Sequence, residues 1–169
     1  SGHHVIHPYH VVLTEAGTRE ATLYSQKELR DELPLTWEFC RNYENILRGR
    51  ERGKWQNSNT WWEYGRTQNL EKFEQPKIIQ ASISHEATFM IDEKGTWYST
   101  TAYSVLLSNE YRHLTKEMAC QLNSKALDFY LKHIATILMG GYYGYRTQYV
   151  EKLPCLTDNR SNVFDEMRD

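Results

Sequence analysis

Pro76-Lys77-Ile78-Ile79-Gln80-Ala81-Ser82-Ile83 is the run whose reading decides the fold class. It is short, rich in β-branched residues and entered through a proline, which predicts a strand from Lys77 to Ile83. Downstream, Ala87 to Ile91 and Thr96 to Leu107 are β-rich and flank Asp92-Glu93-Lys94-Gly95, turn chemistry that predicts a hairpin. Upstream, Val5 to Leu13 alternates weakly and reads as a strand. Glu15-Ala16-Gly17-Thr18 is a turn, and Glu20 to Tyr24 returns antiparallel.

Helical signals fill the rest. Ser25-Gln26-Lys27-Glu28 is a capping box that opens a short helix, which Pro34 ends or restarts. Leu35, Phe39, Tyr43, Ile46 and Leu47 recur at helical spacing and predict one helix from Pro34 to Arg50, stopping near Gly53. Thr115 is a candidate N-cap for a helical run carrying Met118, Leu122, Ala126, Phe129, Tyr130 and Ile137. Asn123-Ser124 divides that run in two, and Gly140-Gly141 closes it. The expected fold class is α+β: a twisted, mostly antiparallel sheet from the Val5, Lys77, Ala87 and Thr96 segments, packed by helices.

With 169 residues the chain is one domain, or one with an attached subdomain, and needs no disulfides for its core. Cys40, Cys120 and Cys155 are few, odd in number and far apart, as in a reducing cytoplasm. No apolar run reaches membrane-spanning length and no secretory signal is visible. The formal net charge of −2 announces no polyanion partner. Its distribution says more, because residues 1–40 are acidic and Arg41 to Ile79 is basic. Such a stripe either steers a polyanion or is a solvated helix face. Ser1-Gly2-His3-His4 reads as an expression-tag remnant. His7 and His10 follow, but without an acidic or cysteine partner nearby no native metal site is expected.

Catalytic signatures are missing. The sequence holds no phosphate-cradling glycine loop, dinucleotide fingerprint, Gly-x-Ser-x-Gly elbow or His-Glu-x-x-His. Asp92-Glu93-Lys94 resembles a metal-holding nuclease cluster, but it lies in a turn, where charges are common, and lacks a second carboxylate motif. His85 marks a strand end or makes a polar ligand contact. The stretch best suited to binding is Gly140-Gly141-Tyr142-Tyr143-Gly144-Tyr145-Arg146, which combines permissive backbone, planar rings and a guanidinium fork.

Trp62-Glu63-Tyr64-Gly65-Arg66-Thr67-Gln68-Asn69-Leu70, Pro76-Lys77-Ile78-Ile79, Leu122-Asn123-Ser124-Lys125, Gly140 to Tyr145 and Leu153-Pro154 occur in that order. Together with Val5-Ile6-His7-Pro8-Tyr9 and Leu33 to Phe39, they make the chain resemble the TaqI-like C-terminal specificity domain. That domain occurs in adenine-N6 DNA methyltransferases and in type IIG restriction-modification enzymes. The resemblance implies a target recognition domain over residues 5–156, preceded by a remnant or disordered N-terminus at 1–4 and followed by a polar tail at 157–169. It implies double-stranded DNA as the partner, together with a catalytic methyltransferase domain of the same parent chain, in a prokaryotic cytoplasm with no membrane. This fragment would be non-catalytic and carry no cofactor. S-adenosylmethionine, and Mg2+ if the parent cuts DNA, would belong to the parent enzyme.

The DNA-contacting candidates are Trp62, Tyr64, Arg66, Lys77, Tyr142, Tyr143, Tyr145 and Arg146. Arg66 can pair bidentately with a phosphate or a guanine edge, or serve in an ordinary salt bridge. Lys77 reaches a phosphate or is a solvated strand end. The tyrosines and Arg146 meet sugar, base or backbone, although at least one tyrosine is expected to roof the core. If Trp61 and Trp62 lie on a strand, only one faces inward and the other is the contact. The competing reading is a protein-interaction module that docks a methyltransferase or another subunit.

Overall fold

The computed structural model describes residues 4–99 and 101–156, so the expected N-terminal remnant (apart from His4) and the polar tail lie outside the described residues. The fold is α+β, with small antiparallel sheets and short helices. The chain divides into two compact units, Ser1–Phe73 and Glu74–Asp169.

In the first unit, β1 (Tyr9–Leu13) and β2 (Arg19–Leu23) pair antiparallel, with Tyr9 opposite Leu23 and Leu13 opposite Arg19. Gly17, at φ +75°, turns the chain between them. This hairpin is a sheet of its own and does not join the Lys77 strand, a departure from the single sheet expected. Helix α1 (Gln26–Glu32) opens on the capping box: the Glu28 amide donates to Ser25 Oγ at 3.2 Å, and the Ser25 amide donates to Glu28 Oε2 at 2.7 Å. The expected Pro34–Arg50 helix is two helices, α2 (Pro34–Asn42) and α3 (Glu44–Gly53), which meet at Tyr43. Helical torsions in α3 stop before Arg50, and Glu51 and Arg52 are left-handed at φ 46° and 62°.

That break redirects the apolar stripe. Leu35, Phe39, Tyr43 and Ile46 are 80, 48, 45 and 67 % exposed. The core is instead Leu29, Cys40, Trp55, Trp61 and Trp62, with Trp37 and Leu47 packed against it. Trp61 and Trp62 lie in turns, not on a strand, so both rings turn inward and meet edge to face at 5.6 Å. Much of the basic stripe is internal scaffolding. Arg48 bonds Glu44 and the carbonyls of Trp55, Gln56 and Ser58. Arg50 bonds the carbonyls of Leu47, Trp61 and Glu63 and lies over the Trp55 ring.

In the second unit, β3 (Lys77–Ala81) lies between β5 (Met90–Asp92) and β6 (Ala102–Val105), antiparallel to both. Strand β4 (Ile83–Ser84) follows β3 after Ser82 but belongs to another sheet. The expected hairpin is therefore opened by an intervening strand. At the turn after β5, Asp92 faces inward and accepts from the amides of Thr96 and Trp97 at 3.0 and 2.9 Å. Helices α4 (Thr115–Leu122) and α5 (Lys125–Ile134) meet at Asn123-Ser124, with Ser124 Oγ capping the Leu127 amide. Thr115 is the first helical residue rather than the cap, and its hydroxyl donates to the Arg112 carbonyl. Helix α5 stops at Ile134, short of Leu138, because β7 (Ile137–Leu138) leaves to pair with β8 (Tyr142–Gly144). The last helix is α6 (Thr147–Val150). Ile78, Phe89, Met118, Leu122, Leu131, Tyr145 and Leu153 fill the core between these elements.

Among the described residues, no helix is long and apolar enough to cross a membrane.

Candidate functional site

The glycine run is not a free loop. Gly140 and Gly141 take φ of +76° and +77° in a tight turn, and Tyr142–Gly144 becomes the central strand of a three-stranded sheet. Tyr142 stands opposite Leu138, Tyr143 opposite Ser84 and Ile137, and Gly144 opposite Ile83. Tyr142 is exposed and stacks on His85, ring centroids 3.7 Å apart at 31°. His85 Nδ1 lies 3.2 Å from the Gly141 carbonyl, a hydrogen bond that requires the proton on Nδ1. Tyr143 is half-buried beneath the Lys132 ammonium, 5.5 Å from the ring centre.

Tyr145 is fully buried and corrects its assignment to the DNA surface. It is the tyrosine that roofs the core, and its hydroxyl donates to the Asp128 carboxylate. Burial, and then that bond, push its phenol far above the ordinary tyrosine range. Asp128 also accepts from Lys132 at 2.6 Å and from the Ala87 amide at 2.9 Å. Burial alone would raise the Asp128 carboxyl, but these donors outweigh it and hold the group below its usual value. One carboxylate thereby ties α5, the Ala87 segment and the end of β8 together.

Arg146 emerges exposed just beyond. Its backbone is fixed, because the amides of Tyr149 and Val150 donate to its carbonyl at 2.9 and 3.1 Å. Beside it the Tyr145 amide donates to the Ser82 carbonyl at 2.9 Å. The Arg146 side chain lines an open groove of about 590 Å³ with Ser82, Ile83, Tyr103, Gln148 and Glu151.

Lys77, by contrast, is no surface cation. Its ammonium lies 2.6 Å from Asp92 Oδ2, and the two side chains are 2 and 3 % exposed. Register explains this, since Lys77 stands directly opposite Asp92 across the β3–β5 ladder. Burial pushes the Asp92 carboxyl up, but the bonds from Lys77, Trp97 and Thr96 prevail and hold it below its usual value. That pairing commits Asp92 of the Asp92-Glu93-Lys94 cluster to Lys77, and among the described residues no three or more His, Cys, Asp or Glu are grouped so as to hold a metal ion.

The other three candidates belong to the first unit. Trp62 is 5 % exposed and its indole N–H donates to the Tyr24 carbonyl, so it is a core residue and not the outward contact. Tyr64 donates its hydroxyl to the Ile6 carbonyl, and its amide donates to the Tyr9 hydroxyl at 2.8 Å; burial raises its phenol to about 12. Arg66 is exposed, with no ion-pair partner among the described residues.

A family model for the TaqI-like C-terminal specificity domain matches residues 35–155. The chain belongs to this family. The specificity domain is a DNA-recognition domain of restriction-modification enzymes, and the match spans segments of both units. Among curated proteins, none matches the chain.

Within this specificity domain the structure leaves Arg66, Tyr142, Tyr143 and Arg146 wholly or partly accessible, holds half-buried Tyr64 by its hydroxyl on the Ile6 carbonyl, and takes Trp62, Lys77 and Tyr145 into internal roles. Sequence reasoning passed over Lys132, Tyr103, Gln148 and Glu151. Only Lys132 carried a local signal, its i,i+4 spacing from Asp128. Tyr103 reaches the groove through β3–β6 pairing, a long-range event.

Proposed function

We propose that this specificity domain recognises double-stranded DNA for an adenine-N6 methyltransferase of the type IIG class, with the β8 surface as a principal contact. The observation that carries the reading is the set of groups on and beside the central strand β8: exposed Tyr142 stacked on His85, exposed Arg146 beside the groove just past the strand end, and, on the other face from Tyr142, Tyr143 under Lys132. Rings offer faces to sugars and bases, and the guanidinium fork suits a phosphate or a guanine edge. On the first unit, Arg66 is exposed and offers a fork of the same kind. The catalytic domain of the same parent chain would bind S-adenosylmethionine, with Mg2+ added if that parent also cleaves, and would methylate an adenine flipped from the duplex. Such an enzyme would work in a prokaryotic cytoplasm.

The test is fluorescence anisotropy with labelled duplexes across a salt series. Affinity should fall steeply with salt as phosphate contacts release counterions. Arg66→Ala and Arg146→Ala should each cost about 1–3 kcal/mol if they read bases. Duplex affinity unchanged in the double variant removes both residues from the interface.

A second reading is favoured by the exposed Leu35, Phe39, Tyr43 and Ile46 stripe, which offers a partner an apolar face. On that reading the stripe docks the catalytic domain or another subunit. Phe39→Asp with Ile46→Asp would then abolish assembly with the methyltransferase domain while leaving DNA binding intact.

A further inference from the structure

We propose that the groove beside Arg146 reads base edges, with Gln148 and Glu151 as its further specificity-determining residues; this rests on the duplex-DNA reading above. Its chemistry separates base reading from phosphate clamping. A surface that grips phosphates gathers cations, because each phosphate is one negative charge. This groove holds one arginine and one glutamate, so its formal charges cancel. A carboxylate in a phosphate clamp is repulsive; facing a cytosine N4 amino group it is a matched acceptor.

The other walls extend the pattern. Gln148 donates one amide hydrogen to the Tyr149 hydroxyl, which leaves its oxygen and second N–H as the acceptor and donor that pair with adenine N6 and N7, and Arg146 matches guanine O6 and N7. Ile83, 51 % exposed and lining the same groove, offers apolar contact of the kind a thymine methyl accepts. Four kinds of base-edge contact thus face one open groove.

Two further observations point the same way. Although they line one groove, Arg146 and Glu151 form no ion pair, with each other or with any described residue. Their hydrogen-bonding groups stay available to a ligand. The backbone beneath them is stiff, because the Arg146 carbonyl accepts two amides of α6, the Glu151 amide donates to the Thr147 carbonyl at 2.9 Å, and the Tyr145 amide donates to the Ser82 carbonyl. Exposed polar side chains on fixed backbone are what discrimination between base pairs needs, since a displaced donor loses its bidentate partner.

The experiment is selection of duplexes from a randomised library by the full chain, sequencing the retained pool for wild type, Gln148→Glu, Gln148→Leu and Glu151→Gln. Expected is a consensus for the wild type, with Gln148→Leu and Glu151→Gln each relaxing one position by roughly 5- to 150-fold in relative affinity. Gln148→Glu should change the preferred base at its position from adenine to cytosine, a switch that a merely structural residue cannot produce. The salt slope of overall binding should stay unchanged in Gln148→Leu. Wild-type binding with no consensus, or variants that keep the wild-type consensus at every position, overturns this inference and leaves the DNA-binding reading standing. No retention of any duplex by the wild type overturns both.

Discussion

Replacing Lys77 by Met tests whether that lysine is a strut or a phosphate contact. The structure puts its ammonium 2.6 Å from Asp92 with both side chains almost fully buried. Truncating one partner of a buried pair leaves an uncompensated charge and costs about 3–5 kcal/mol. Asp92 keeps the amides of Thr96 and Trp97, which places the loss toward the lower end. An upper bound comes from letting the orphaned carboxyl take up a proton. At pH 7 that costs roughly 4 kcal/mol, from about three pH units above an ordinary Asp at 1.36 kcal/mol each. The expected loss is therefore about 3–4 kcal/mol. With an m-value of roughly 2 kcal/mol/M, it lowers the urea midpoint by about 1.5–2 M. Circular dichroism during urea titration reads this directly. Near pH 4 the penalty should shrink, since protonating Asp92 is then nearly free, and Lys77→Met/Asp92→Asn should recover part of the loss at pH 7. A midpoint unmoved at pH 7, together with a shallower salt dependence of duplex binding, would refute the argument and return Lys77 to the DNA surface.

Two other outcomes follow from the geometry. Gly95→Ala should destabilise by about 2–3 kcal/mol in the same titration, because its Cβ would sit 2.3 Å from the Glu74 carbonyl oxygen at φ +66°. Gly17→Ala, equally left-handed at φ +75° but with nothing within 4 Å, should cost only about 1 kcal/mol. Asp92 and Asp128 are both held below their usual range, so the stability they contribute is complete above the unfolded value of about 3.9 and drains as pH falls through the lower folded values. Thermal unfolding should accordingly be flat from pH 7 to about 5 and decline below 4, with Asp128→Asn weakening that decline.

Local rules located the capping box at Ser25, the β1–β2 hairpin and the α4–α5 junction at Ser124, because each is decided within a few residues by hydrogen bonds that the side chains themselves supply. The family resemblance was legible in the same way, as an ordered set of short motifs. Periodicity misled where tertiary pairing intervened. Leu35, Phe39, Tyr43 and Ile46 have helical spacing, but the break at Tyr43 and the cluster of indoles leave them outside the core. The Thr96 to Leu107 run is β-rich, yet β3 lies between its strand and β5.

What the chain alone determined is therefore the α+β class, the caps and turns, the absence of catalytic signatures and the membership of a specificity-domain family. Only the tertiary structure decided which of its cations and rings face outward. Lys77 and Arg66 are indistinguishable as surface candidates until cross-strand register sets Asp92 against the first, while the second stays exposed with no ion-pair partner among the described residues. Tyr142 and Tyr145 are three residues apart, and what separates them is the Asp128 carboxylate of α5 waiting inside the core. Burial of a polar group is favourable only when a distant partner satisfies it, and that partner's position is not a local property of the sequence.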